Sequence, residues 1–186
     1  QFLGTATLRL WERGLAAECV NLTKRASPLI REAKINLTHN EFLQTRLKFL
    51  VVQAGISKNR GEWHESTKTF RSMLRYAKEL KNWSYIAQAE IGLGLMALNL
   101  NQLDIGERRF QQVLNQAEVL KDVPIMLTCF HYICALAWQK GDLQKCEAVA
   151  RLGLAQTKKG DLSVARAQIL LSLSAVQATN GKLQEA

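Results

Sequence analysis

Proline occurs only twice in the 186 residues and glycine eleven times, so little interrupts long helices. Alternation of apolar and polar residues at the two-residue strand period is scarce, which argues against a sheet. No apolar run approaches the ~18–20 residues needed to cross a bilayer, so no membrane segment is expected. The longest such run, Ile91 to Leu100, reads instead as a buried helix. The four cysteines, Cys19, Cys129, Cys134 and Cys146, form no CxxC pair, which removes the usual zinc and dithiol redox signatures. A few irregularly placed thiols in a helical chain point to a reducing compartment, and the cytoplasm is the expected location. Asn-x-Ser/Thr triplets begin at Asn21, Asn36 and Asn82, and they matter only in a secreted chain. His39, His64 and His131 have no ligand-type spacing, so neither metal nor cofactor is expected. No Ser/His/Asp, Cys/His or paired-carboxylate arrangement emerges. Gly92-Leu93-Gly94 sits inside a helical stretch rather than at a strand-to-helix turn, so it is no phosphate loop. Catalysis is not expected.

What is present is helix-forming sequence, rich in Leu, Ala, Gln, Glu, Lys and Arg, with a repeat running through it. Gly61, Asn101, Gly141 and Gly181 are spaced 40 residues apart, and each is followed two residues later by Trp63, Leu103, Leu143 or Leu183. Gly and Asn tolerate the left-handed conformation that closes a helix, and the apolar residue anchors the next one. Small residues keep the same register: Ala54, Gly94, Cys134 and Ser174 before the turns, Ser66, Gly106, Cys146 and Ala186 after them. One more period upstream lies Gly14. Phe70, Phe110 and Ala150 follow four residues further on. Small residues on facing helices let backbones approach, and a ring fills the space between successive pairs.

First helices are expected at Thr5–Val20, Asn40–Ser57, Ser84–Asn99, Pro124–Lys140 and Ser163–Thr179. Second helices are expected at Ser27–Leu37, Glu62–Leu80, Leu103–Leu120 and Leu143–Thr157. Asp122 before Val123-Pro124, Ser27 before Pro28, and Asp161 with Ser163 supply helix starts. The architecture expected is all-α, one repeat domain over 1–186. A degenerate unit covers 1–40, regular 40-residue units run from about 41, and the last unit is cut at 186. The sequence from Asn180 to Ala186 reads as the opening of a further helix, as in a piece of a longer chain. That would leave Leu170, Leu171 and Leu173 poorly covered and favour end-to-end self-association.

The small residue, turn residue, small residue and aromatic of the best unit are Gly94, Asn101, Gly106 and Phe110. In the unit before, they are Ala54, Gly61, Ser66 and Phe70. This pattern resembles the tetratricopeptide repeat family, from about Arg46 to Ala186. The period is 40 instead of the family's ~34, and the aromatic pair and closing proline are mostly missing. Long repeats of this kind are similar to those of MalT-type transcription regulators, peptide-sensing Gram-positive regulators and kinesin light chains. The resemblance implies a right-handed α-solenoid, a TPR-like superhelix of stacked antiparallel helix pairs, with first helices lining a concave face that binds extended peptides or partner helices.

Carried onto this chain, the inward positions are Lys48, Val51, Lys58 and Asn59, then Gln88, Ile91, Leu98 and Asn99. Thr128, His131, Trp138 and Gln139 follow, then Gln168, Leu171 and Thr179. Asn59, Asn99, Gln139 and Thr179 form a polar ladder suited to a peptide backbone or, alternatively, to closing helix ends. Trp138 is an aromatic anchor or a buried packing residue. The family's carboxylate-clamp pattern of Lys, Asn and Arg is not reproduced.

Charge is uneven. Residues 1–81 carry fifteen Lys or Arg against seven Asp or Glu, and residues 82–186 carry ten against nine. Lys68, Arg71, Arg75 and Lys78 recur at helical spacing, as a solvated face or as a surface for an acidic partner. The expected function is a non-catalytic protein- or peptide-binding scaffold. The alternative is the sensor or oligomerisation region of a MalT-type regulator. Nucleic-acid binding through the basic half ranks last, because exposed aromatic interleaving is missing.

Overall fold

The structure, a computed structural model, describes residues 18–22, 25, 28, 37–157, 164–179 and 181. Every regular element among them is a helix. In chain order we name α1 (His39–Asn59), α2 (Trp63–Glu79), α3 (Trp83–Asn99), α4 (Leu103–Leu120), α5 (Val123–Gln139), α6 (Leu143–Ala155) and α7 (Val164–Thr179). These agree with the expected helices to within a residue or two at most ends. The expected helices before α1, the caps at Ser27, Asp161 and Ser163, the small positions Gly14 and Ala186, and the final half-repeat lie wholly or largely outside the described residues. The chain divides into two compact units, Gln1–Met96 and Ala97–Ala186, with the boundary inside α3.

The helix ends explain the period. Gly61, Asn101, Gly141 and Gly181 all take positive φ, from 58° to 75°, as the repeat implied. Lys81 and Lys121 also do so, at 51° and 54°. The left-handed residue therefore recurs every twenty residues through Gly141, and one repeat is two helix–turn modules. At Lys81 and Lys121 the conformation costs about 1–2 kcal/mol relative to glycine. Backbone bonds around the turn offset that cost. The Asn82 N–H donates to the Ala77 carbonyl at 3.0 Å and the Asp122 N–H to that of Ala117 at 2.9 Å. Glu62 to Ser57, Gln102 to Ala97 and Asp142 to Ala137 make the same six-residue closure.

Three helix starts, those of α1, α5 and α6, are built as side-chain caps. Asp122 accepts from the Ile125 N–H, with Pro124 in the first turn. Thr38 and Glu41 form a reciprocal capping box at the start of α1, worth about 1 kcal/mol. Asp142 caps α6 in the manner of Asp122.

In unit 1, Leu47 and Leu50 of α1, Met73 and Ala77 of α2, and Ala89 of α3 form one buried cluster. The small positions do the work expected of them. Ala54 and Ser66 are fully buried, and the Ser66 hydroxyl donates to the Ala54 carbonyl at 3.1 Å. In unit 2, α5 packs against α4, α6 and α7, and α6 packs against α7. Cys134 and Cys146 meet as Ala54 and Ser66 do, the Cys134 thiol donating to the Cys146 carbonyl at 3.6 Å. Phe110 is fully buried and stacks on Tyr132, centroids 5.2 Å apart. Leu170 and Leu171 are 41% and 70% exposed, and Leu173 is half-buried.

Gly92 stands one repeat before Tyr132, and Phe70 one repeat before Phe110. Here the ring packs on bare backbone, since a Cβ on Gly92 would lie 2.3 Å from Phe70 Cε1. Gly92→Ala gains ~1 kcal/mol of helix propensity, but overpacking costs about 1–3 kcal/mol. We expect a net loss of about 1 kcal/mol in urea denaturation, recovered in the Gly92→Ala/Phe70→Leu double variant. A single variant more stable than the parent would contradict this packing.

Candidate functional site

Seven of the fifteen inward positions inferred from register line two cavities, one in each unit. In unit 1, Val51, Gly55 and Lys58 of α1 and Gln88 of α3 surround about 160 Å³, floored by Phe70 and Met73 of α2. In unit 2, His131, Ala135 and Trp138 of α5 and Gln168, Leu171, Ser172 and Ala175 of α7 surround about 340 Å³, with Cys146 of α6 behind them. The two sites correspond position by position. Val51, Gly55, Lys58 and Gln88 lie 80 residues before His131, Ala135, Trp138 and Gln168. Each cavity is thus set between two consecutive first helices, at the same level.

The geometry follows from the repeat. A first helix presents residues i, i+4 and i+7 along one stripe. The next first helix contributes the residue 37 positions after the first of these. A small residue in the middle, Gly55 or Ala135, leaves the space open. At the intervening register Ile91 and Leu98 are 8% and 9% exposed. These two, expected on the inward surface, are core residues, because large aliphatic side chains there are drawn into packing.

Other expected positions stand apart from the cavities. Lys48 is half-buried and lies outside either lining. Thr128 is half-buried, and its hydroxyl donates to the Pro124 carbonyl at 2.9 Å. Asn59, Asn99, Gln139 and Thr179 are all exposed, each the last residue of its helix. The Thr179 hydroxyl donates to the Ala175 carbonyl at 2.9 Å, so that rung is spent within its own helix.

The larger cavity is mainly apolar. Trp138 is 41% exposed and Leu171 70% exposed, so both offer contact area to an incoming group. His131 is half-buried beside the Tyr132 ring, and its Nδ1 is enclosed without a hydrogen-bond partner among the described residues. Burial pushes the imidazole below its usual range, so the ring is held neutral. An orphaned N–H is costlier than an orphaned lone pair. The favoured tautomer therefore leaves Nδ1 bare and carries the proton on Nε2 as a donor. The Gln168 side chain, exposed at the opposite wall, can donate and accept.

Burial raises the thiols of Cys129 and Cys134 to about 12 and that of Cys146 upward. Such thiols are packing groups rather than nucleophiles or ligands. Among the described residues no cluster of three His, Cys, Asp or Glu is placed to hold a metal, and no helix is long and apolar enough to cross a membrane. Ala135, Cys146, Ser172 and Ala175 were not foreseen as cavity walls. Of these only Cys146 stands in the small-residue register, and sequence alone does not separate a small residue that closes a helix contact from one that opens a cavity.

No family model and no curated protein matches the chain. Solved structures do. BtubC (BKLC) from P. vanneervenii is 15% identical with a TM-score of 0.71, over 95% of this chain and 71% of that one. The apo form of RapI is 14% identical with a TM-score of 0.71, over 96% and 68% respectively. A putative kinesin light chain from P. anserina with nearly identical TPR-like repeats is 14% identical with a TM-score of 0.66, over 98% and 87%. At these identities the likeness is one of fold.

Two outcomes test this description. A histidine held below its unfolded value stabilises the fold above that value, and the contribution is lost as pH falls. Stability should therefore decline as pH drops below about 6.5, and the decline should shrink in His131→Leu. Separately, Cys129 and Cys134 should resist an aromatic disulfide reagent at pH 8 in the native protein and react at once in denaturant.

Proposed function

The chain has the fold of a TPR-like helical repeat, and on that premise we propose that it is a non-catalytic scaffold that binds a protein or peptide segment. The observation that carries this is the 340 Å³ cavity between α5 and α7, walled by Trp138, Leu171, His131 and Gln168. Its volume sits at the lower end of the ~300–1,000 Å³ typical of ligand pockets, enough for one bulky side chain. Trp138 and Leu171 supply apolar surface. The neutral His131 Nε2–H and the Gln168 amide can meet the backbone carbonyl and N–H beside an anchoring side chain. Nothing in the cavity resembles an acid–base pair or an activated nucleophile, which supports binding without chemistry.

Unit 1 repeats the arrangement on a smaller scale with Lys58 and Gln88. A peptide anchored in either cavity would lie across consecutive first helices, the face that the family resemblance implies. The polar residues Asn59, Asn99 and Gln139 would then be secondary contacts at the helix ends.

The test is a selection of random peptides displayed on phage against the whole chain. Trp138→Ala and Gln168→Ala variants with unchanged circular dichroism serve as comparison. Trp138 is the expected anchor, and losing a central aromatic costs about 2 kcal/mol or more, some thirtyfold in affinity. Selected peptides that bind both variants as tightly as the parent would place recognition elsewhere.

A further inference from the structure

We propose that the outer face of α2 is a second interaction surface, separate from the cavities, for an acidic helical segment of a partner protein. Lys68, Arg71, Arg75 and Lys78 are all exposed and follow one another at spacings of three, four and three residues. On a helix these spacings keep the four side chains within an arc of roughly 80° and spread them over about 15 Å. They make one continuous basic stripe.

The stripe is poorly neutralised by its own surroundings. Lys68 pairs with Glu65 at 3.3 Å, an exposed contact. Arg75 lies over the Tyr76 ring, 4.8 Å from its centroid, and donates to the Tyr76 hydroxyl at 3.1 Å. Arg71, Arg75 and Lys78 reach no carboxylate among the described residues. The tyrosine contact holds one guanidinium beside an aromatic ring and leaves its charge unneutralised.

Folding does not require this charge. The same four positions one repeat later, on α4, are Arg108, Gln111, Asn115 and Glu118, which sum to no net charge. Two repeats later the first three, on α6, are Ala148, Arg151 and Ala155, with Arg151 neutralised by Glu147 at 2.7 Å, and the fourth, Lys158, lies outside the described residues. Position in the repeat therefore explains the exposure of these residues but not their sign.

The pattern at the two ends of α2 selects the partner's chemistry. Glu62 and Glu65 stand before the stripe and Glu79 after it, all exposed. A phosphate backbone carries charge without interruption and would meet these carboxylates at both ends. A short segment with carboxylates at helical spacing covers the four cations and stops before the acids. Electrostatic matching of this kind sets register and on-rate more than depth of affinity.

The probe is a capped, alanine-based peptide with Glu at four positions spaced three, four and three residues apart. It is measured against the whole chain by fluorescence anisotropy at 50 mM salt. Three controls accompany it: the Gln version of the peptide, a peptide of equal charge with its four Glu adjacent, and a fourteen-nucleotide oligothymidylate. We expect the spaced Glu peptide to bind, the Gln peptide not to, and the clustered peptide to bind at least threefold more weakly. Arg71→Gln/Arg75→Gln, both at exposed sites, should weaken the interaction about tenfold, and raising salt to 200 mM should weaken it several-fold. Equal binding of the clustered peptide would overturn the register. Tighter binding of the oligonucleotide would replace the acidic helix with a polyphosphate. No binding of the spaced peptide, or binding unaffected by the double variant, would end the proposal. The Trp138→Ala variant should bind the peptide as the parent does, so the surface stands or falls independently of the cavity.

Discussion

Everything regular in this chain depends on closing a helix within about three residues, and the left-handed residue makes that closure possible. Once φ turns positive at Gly61, Lys81, Asn101, Lys121 and Gly141, the orphan carbonyls of the ending helix are taken up by N–H groups just beyond the turn. The next helix then starts within two or three residues. Lengths of 17 to 18 residues for α2 to α5 follow from the twenty-residue spacing of those turns. The same register sets a small residue against a small residue in each unit, Ala54 with Ser66 and Cys134 with Cys146. The register of the cavities is a late consequence of the same constraint.

The division of labour between first and second helices follows from packing. α5 touches helices on three sides, and its buried set runs around much of its circumference: Met126, Leu127, Cys129, Phe130, Ile133, Cys134, Leu136 and Ala137. α2 buries only Ser66, Thr69, Met73 and Ala77 on one stripe. A first helix packed like α5 exposes a large side chain only where its neighbours leave a gap, as at Trp138. The second helix has a whole face to spend, and α2 spends it on charge.

Much of this was legible before any coordinates. Helix spans, turn residues and the Asp122 cap followed from local chemistry that repeats, and repetition multiplies a weak signal. His131, Trp138, Gln168 and Leu171 line one cavity, because side-chain direction on a helix is set by its geometry. The left-handed lysines were hidden, since lysine carries no preference for that conformation and is there because the turn demands it. The Thr38–Glu41 capping box carries the Thr-x-x-Glu signature of a helix start. Ile91 and Leu98 share the register of cavity residues yet are packed away, because periodicity specifies direction and says nothing of what lies opposite. Only neighbours decide whether a position is a wall or a core.

One cluster in unit 2 bears on time rather than on equilibrium. Glu107 of α4 accepts from Lys140, just beyond α5, at 2.7 Å and from Lys145 of α6, while Lys140 also reaches Asp104 at 2.8 Å. These hydrogen bonds hold the Glu107 carboxyl below the usual range. The partners are 33 to 38 residues apart in sequence, so the network closes only after α4, α5 and α6 have docked. Contacts absent from the transition state slow escape from the native state without hastening arrival. Formed after that state, the half-buried Glu107 and its two lysines would act as a latch, slowing the unfolding of unit 2 while adding little to its stability.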